Sequence, residues 1–181
     1  MGFTSRQNKY IREVFLVDLY SKMGVNYKMK VIDGLIKDTI GFTCSCFDLL
    51  HAGHILMLKD ARQYCDKLIV GLQTDPTIDR PDTKNKPIQS FEERRIQLEA
   101  VRYVDEIFTY DTEEKLYKKL LYIKPDVRIL GSDYIGKSFT GDDLDIEIYY
   151  HERKHNYSST NLRQNIGQYY SCNDDILQYE R

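Results

Sequence analysis

From about residue 38 the chain alternates short apolar runs with longer stretches whose apolar positions recur at helical spacing. "TIGFTCSCF" (39–47) and "KLIVGLQ" (67–73) are continuous, β-rich and too short for helices, which predicts buried strands. "DEIFTY" (105–110), "VRIL" (127–130) and "IEIYYH" (146–151) predict three more. Between them, Ile55, Leu58, Arg62 and Cys65 mark one helix. Ser90 with Glu93 three residues on forms a capping box for a second. Leu116, Leu120 and Ile123 predict a third, which Pro125 stops, and Ser158 opens a fourth carrying Leu162, Ile166 and Tyr169. Strands alternating with helices imply an α/β fold: a Rossmann-like, doubly wound, mainly parallel five-stranded sheet with helices on both faces. Such sheets bind ligands beyond the carboxyl ends of their strands. That rule selects the turn at 47–54, the turn at 131–134 and the approach to Ser158.

Residues 1–37 stand outside this rhythm. "NKYIREVFLVDLYSKMG" (8–24) has the pattern of an amphipathic helix, so 1–37 is expected to be an extension, helical or partly disordered. The domain itself is expected over 38–170, with a tail at 171–181.

Composition narrows the function. Lys plus Arg (26) against Asp plus Glu (28) leaves a net charge of −2, which argues against a general nucleic-acid binder. No apolar run approaches the roughly 20 residues of a membrane span, and the first residues lack the apolar core of a signal peptide. The four cysteines form no CxxC pair, so reduced thiols in a cytoplasmic protein are expected.

The most informative stretch is "CFDLLHAGH" (46–54), where His51 and His54 flank Gly53 at the expected strand-to-helix turn. Free N–H groups at a helix N-terminus hold anions, and Gly53 lets a phosphate approach the backbone. Histidines three apart share one side of a helix. Together they make a donor set for phosphate oxygens, able to stabilise charge on a phosphorus under attack. Two other readings stay open: ordinary packing histidines, or a zinc site with Cys44 and Cys46, whose spacing is wrong for the common fingers.

"CFDLLHAGH" resembles the HxGH signature of the nucleotidyltransferases, in the form seen in the cytidylyltransferases. "RYVDE" (102–106), "GSDYIGK" (131–137) and "RKHNYSST" (153–160) resemble further motifs of that family in the same order, over roughly 38–166. The resemblance lies nearest to glycerol-3-phosphate cytidylyltransferases. It implies transfer of CMP from CTP to a small phosphorylated alcohol, glycerol 3-phosphate or a related polyol or amino-alcohol phosphate, with release of pyrophosphate. Two alternatives accompany it. One is an ATP-dependent adenylyltransferase of the same fold, of heptose-phosphate, pantetheine-phosphate or flavin type; the other is a non-catalytic nucleotide-binding module.

The resemblance also implies roles. His51, His54 and Lys84 would be catalytic. Cys46, Phe47, Asp48, Gly53, Gly131, Asp133, Tyr134, Arg153, Ser158, Ser159 and Thr160 would bind the nucleotide. Arg102, Arg94 and Lys84 would meet the substrate phosphate. Mg²⁺ would arrive with the triphosphate, no dedicated protein metal site is implied, and the protein would be a homodimer. Ser45 stands where the family usually has glycine, "KHN" (154–156) replaces "TEG", and Tyr134 replaces tryptophan; these departures bear mainly on the acceptor.

Overall fold

The computed structural model describes residues 30–32 and 35–177. Two short strands, β1 (Lys30–Ile32) and β2 (Leu35–Lys37), pair antiparallel with Val31 opposite Ile36. The end of the expected extension is therefore a strand pair rather than helical or disordered. The helix expected over 8–24 lies outside the described residues.

The main sheet holds β3 (Ile40–Ser45), β4 (Lys67–Gln73), β5 (Glu106–Tyr110), β6 (Val127–Gly131) and β7 (Glu147–His151). Every neighbouring pair is parallel, in the order β5-β4-β3-β6-β7. The chain winds from β3 outward to β5, then crosses back to place β6 on the other side of β3. Loops after β3 and β6 therefore diverge, and a crevice opens between them at the carboxyl edge.

The described residues form four α-helices, α1 (Ala52–Ala61), α2 (Phe91–Glu99), α3 (Glu113–Ile123) and α4 (Ser159–Leu177), of which the first three pack on the sheet. The tail expected from 171 is thus helical as far as Leu177. The Ser90–Glu93 capping box forms, with Glu93 N–H donating to Ser90 Oγ at 3.2 Å and Ser90 N–H to Glu93 Oε2 at 2.7 Å. α3 closes through Lys124 in a left-handed conformation (φ 49°), just before Pro125.

One apolar cluster packs α1 and α2 against the sheet through Leu58, Leu98, Val70 and Ile129. A second packs α3 on the other face through Leu116, Leu120, Phe42 and Phe108. Three aspartates stitch the amino edge: Asp66 accepts from Thr39 N–H (2.8 Å), Asp126 from Ile40 N–H (2.9 Å) and Asp105 from Leu68 N–H (2.7 Å). Each sits at a helix-to-strand joint and satisfies a donor that begins a neighbouring strand. With that edge closed, the loops of the opposite edge are left to build a site.

Candidate active site

The turn from β3 into α1 is strained. Phe47 and Leu49 adopt left-handed backbone conformations, φ 49° and 51°, which non-glycine residues rarely hold unless their surroundings enforce them. The enforcement comes from three directions. The Asp48 carboxylate accepts from the backbone N–H groups of Ile88 (3.1 Å) and Gln89 (3.0 Å) and pairs with Arg163 of α4. Leu49 N–H donates to Gln89 Oε1 (2.8 Å), and Ser159 Oγ donates to the Asp48 carbonyl (3.0 Å). Burial by itself would raise the Asp48 pKa, but the Gln89, Ile88 and Arg163 donors outweigh it and hold it below the usual carboxylate range.

This turn delivers the two histidines to one place. His51 is the N-cap of α1, its Nδ1 accepting from Gly53 N–H at 3.0 Å. An accepting Nδ1 assigns the proton to Nε2, which is thereby a donor. The His54 ring stacks on His51 with centroids 4.0 Å apart, and Phe47 backs it at 5.2 Å. Burial, then the neighbouring His51 and Arg153, push the His54 pKa down to about 3. Burial, Arg153 and His155 lower that of His51 as well. Both rings are neutral at pH 7 and present N–H groups rather than full charges.

Around this pair the loops of the carboxyl edge close a cleft of about 650 Å³. Cys46, His51, Gly53, His54, Lys84, Gly131, Asp133, Tyr134, Arg153, Ser158, Ser159 and Thr160 all line it. Gly53 is needed there: a Cβ would lie 2.9 Å from His51 Cε1, 2.9 Å from the Tyr157 carbonyl oxygen and 3.0 Å from His155 Cε1. Gly131 likewise leaves room for the Asp133 carboxylate, which sits 3.6 Å from Arg153 Nη2. Ser158 caps α4, accepting from Asn161 N–H at 3.1 Å, so a second helix N-terminus faces the same space.

Residues 42–165 match the family model described as "Cytidylyltransferase-like". The chain belongs to the cytidylyltransferase-like family. Among curated relatives it is 37% identical over 139 residues to the bifunctional protein HldE of Campylobacter concisus, covering 72% of this chain and 29% of that protein. It is 34% identical over 145 residues to HldE of Helicobacter pylori, covering 80% and 31%. The chain thus spans under a third of the length of these relatives. Among solved structures, the lipopolysaccharide core biosynthesis protein from Thermoplasma volcanium matches with TM-score 0.53 and 26% identity, over 67% of this chain and all of that one. Pantoate-beta-alanine ligase from Francisella tularensis shares the fold, at TM-score 0.51 and 23% identity, over 71% of this chain and 67% of that one.

In this cytidylyltransferase-like domain four expected contacts lie elsewhere. Arg94 is 2% exposed and serves the backbone. Its guanidinium donates to the carbonyls of Cys46 (2.8 Å), Gln73 (2.7 Å), Thr74 (2.5 Å) and Gln89 (3.3 Å), leaving little to offer a substrate. Arg102 is exposed over the Tyr103 ring, before β5, at the amino edge and so at the opposite end of the sheet. Asp48 is turned away into the contacts above and orders the turn instead of touching the cleft. The Phe47 side chain is in the core, 1% exposed. The zinc alternative also loses its ligands. Cys44 packs on the α3 side beside Arg128, while the Cys46 thiol turns to Arg94 (3.5 Å). Among the described residues no group of three or more His, Cys, Asp or Glu is placed to hold a metal ion.

Several cleft residues escape a reading of the sequence. Gln73, Arg80, Glu113 and Arg128 line its α3 side. His151, ending β7, lines it too, its Nδ1 2.7 Å from Asp60 of α1. For Arg128 a signal existed: a charged residue inside the apolar run "VRIL".

Proposed function

We propose that this protein transfers a nucleotidyl group from a nucleoside triphosphate to a small phosphorylated polyol or sugar, releasing pyrophosphate. The observation that carries this is the stacked His51–His54 pair on the N-terminus of α1, inside a cleft that Lys84, Arg153 and the start of α4 also face. An acceptor phosphate oxygen attacks the α-phosphorus; the new P–O bond forms as the bond to the pyrophosphate oxygen breaks. The acceptor is already ionised near neutral pH, so the site has to position two anions and disperse charge. His51 Nε2–H and the His54 ring face the reacting phosphate, with the α1 N–H groups beside them. Lys84 bridges the two substrates, and Arg153 with Ser158, Ser159 and Thr160 holds the outgoing phosphates. Mg²⁺ bound to the triphosphate would offset its charge; the described residues provide no cage for it, and no step here depends on it.

For the nucleotide, the ATP-dependent reading, of heptose-phosphate type, is favoured by the bifunctional HldE relatives. The CTP and glycerol 3-phosphate reading rests on the "RYVDE" and "GSDYIGK" motifs. A homodimer in the cytoplasm belongs to both. Pyrophosphate release, measured with ATP and with CTP across a panel of phosphorylated acceptors, separates them. His54→Asn is expected to lower kcat by about 10²–10³-fold, the usual cost of a lost charge-stabilising donor. Wild-type turnover in that variant would refute the assignment.

A further inference from the structure

The chain has four histidines, and all four line the cleft. The chemistry above uses His51 and His54, while the Nδ1 of His151 is engaged by Asp60. That leaves His155. It lies half-buried between Arg153 and Ser158, within "KHN" (154–156), and its ring stacks on Tyr157 with centroids 4.9 Å apart. Its Nδ1 accepts from the Tyr157 backbone N–H at 3.2 Å. A backbone N–H only donates, so that nitrogen carries no proton and the proton of the ring is assigned to Nε2.

Two observations direct this donor to the phosphates. First, His155 Nε2 is buried without a partner. A buried N–H with no acceptor is costly, so an oxygen entering the cleft is what completes it. Second, His155 faces His51 across Gly53. One point, the place a Gly53 Cβ would take, lies 2.9 Å from His51 Cε1 and 3.0 Å from His155 Cε1. In each ring Cε1 is bonded to Nε2, and in each Nδ1 is occupied by a backbone N–H, so both free N–H groups adjoin that point. It sits over the N-terminus of α1, whose amides already favour an anion. His51 comes from the turn into α1 and His155 from the loop before α4, so the two donors approach from opposite sides.

We propose that His155 is a third catalytic histidine, whose Nε2–H donates to the β-phosphate and stabilises the pyrophosphate as it leaves. This rests on the nucleotidyl-transfer reading. Neighbouring phosphates share one bridging oxygen, so two donors flanking one point reach adjacent groups. His51 takes the α-phosphate, and His155 takes the β-phosphate alongside Arg153 and Ser158. When the bond between the α-phosphorus and the bridging oxygen breaks, its electron pair stays on that oxygen, which departs with the β-phosphate. Negative charge grows there, and the hydrogen bond from His155 strengthens without giving up its proton. The change at "KHN" then acts on the leaving group rather than on the acceptor.

The test sets His155→Asn against His155→Gln. Asparagine keeps an acceptor in the place of Nδ1 for the Tyr157 N–H and loses the Nε2 donor. Glutamine restores an N–H near the Nε2 position and gives up the Tyr157 bond. Titration calorimetry measures Kd for pyrophosphate and for the nucleoside monophosphate, and steady-state kinetics measure transfer from ATP or CTP, whichever turns over. In His155→Asn, kcat should fall and Kd for pyrophosphate should rise, each at least about tenfold, with monophosphate Kd and acceptor KM within about twofold. His155→Gln should recover most of both losses. The reverse pattern, an impaired glutamine variant and a wild-type asparagine variant, is that of a structural loop contact and would overturn the proposal. So would unchanged pyrophosphate affinity in His155→Asn, or a loss confined to acceptor KM. Circular dichroism checks folding; should His155→Asn unfold, His155→Phe takes its place, keeping a ring on Tyr157 without the donor. Failure of the transfer reading is distinguishable. If the wild type binds pyrophosphate but releases none from either nucleotide, the contact stands where His155→Asn weakens that binding and falls where it does not.

Discussion

Replacing Arg94 with methionine keeps an unbranched apolar stem and removes every donor at the end of the side chain. The native guanidinium satisfies four carbonyls: Cys46 at the site turn, Gln73 and Thr74 at the end of β4, and Gln89 before α2. A hydrogen bond from a charged donor contributes roughly 1.5–3 kcal/mol, and orphaned buried acceptors add a penalty. Against that stands the recovered cost of burying the guanidinium, which is substantial at 2% exposure. Setting one against the other leaves a loss of about 3–5 kcal/mol. With a urea m-value of about 2 kcal/mol/M, the unfolding midpoint should fall by about 2 M. Equilibrium urea unfolding, followed by circular dichroism and Tyr fluorescence, measures this directly. Nucleotide affinity should fall alongside, because Cys46 begins the turn that carries His51 and His54. A midpoint shift below about 0.5 M, with a tenfold rise in acceptor KM, would refute the reasoning and return Arg94 to the substrate.

Two further outcomes follow from the histidine turn. The folded state holds His54 near pKa 3 against the usual 6.5, so acidification loads protons onto the unfolded chain first. Stability contributed by the neutral ring is therefore complete above about pH 6.5 and is lost as pH falls toward 3, by up to about 1.4 kcal/mol per pH unit. Urea titrations at pH 7.5, 6.5 and 5.5 should show a shallower decline in His54→Asn than in the wild type; equal slopes would contradict the buried neutral ring. Gly53→Ala places a methyl 2.9 Å from the Tyr157 carbonyl, which is backbone and cannot swing aside. It should cost about 1–3 kcal/mol of stability and weaken nucleotide binding at least tenfold by calorimetry, whereas wild-type affinity would show that the phosphate does not approach there.

The order and kind of the elements were legible because each carries a local cause. Continuous apolar runs in 39–47 and 67–73, the Ser90–Glu93 box and the Pro125 stop act within a few residues, and the structure follows them closely. HxGH was legible for the same reason: a cap, a glycine and two rings one turn apart are a local motif. Strand pairing through residues as distant as Gly41 and Val127, by contrast, was decided by the fold. So was the fate of each arginine. Arg94, Arg102 and Arg128 look alike in sequence. One is consumed by carbonyls, one lies at the far edge of the sheet, and one is buried beside the cleft, where it donates to the Thr140 carbonyl. A side chain's partners depend on what the chain brings from tens of residues away, and a charge takes its meaning from those partners and from the water it has lost.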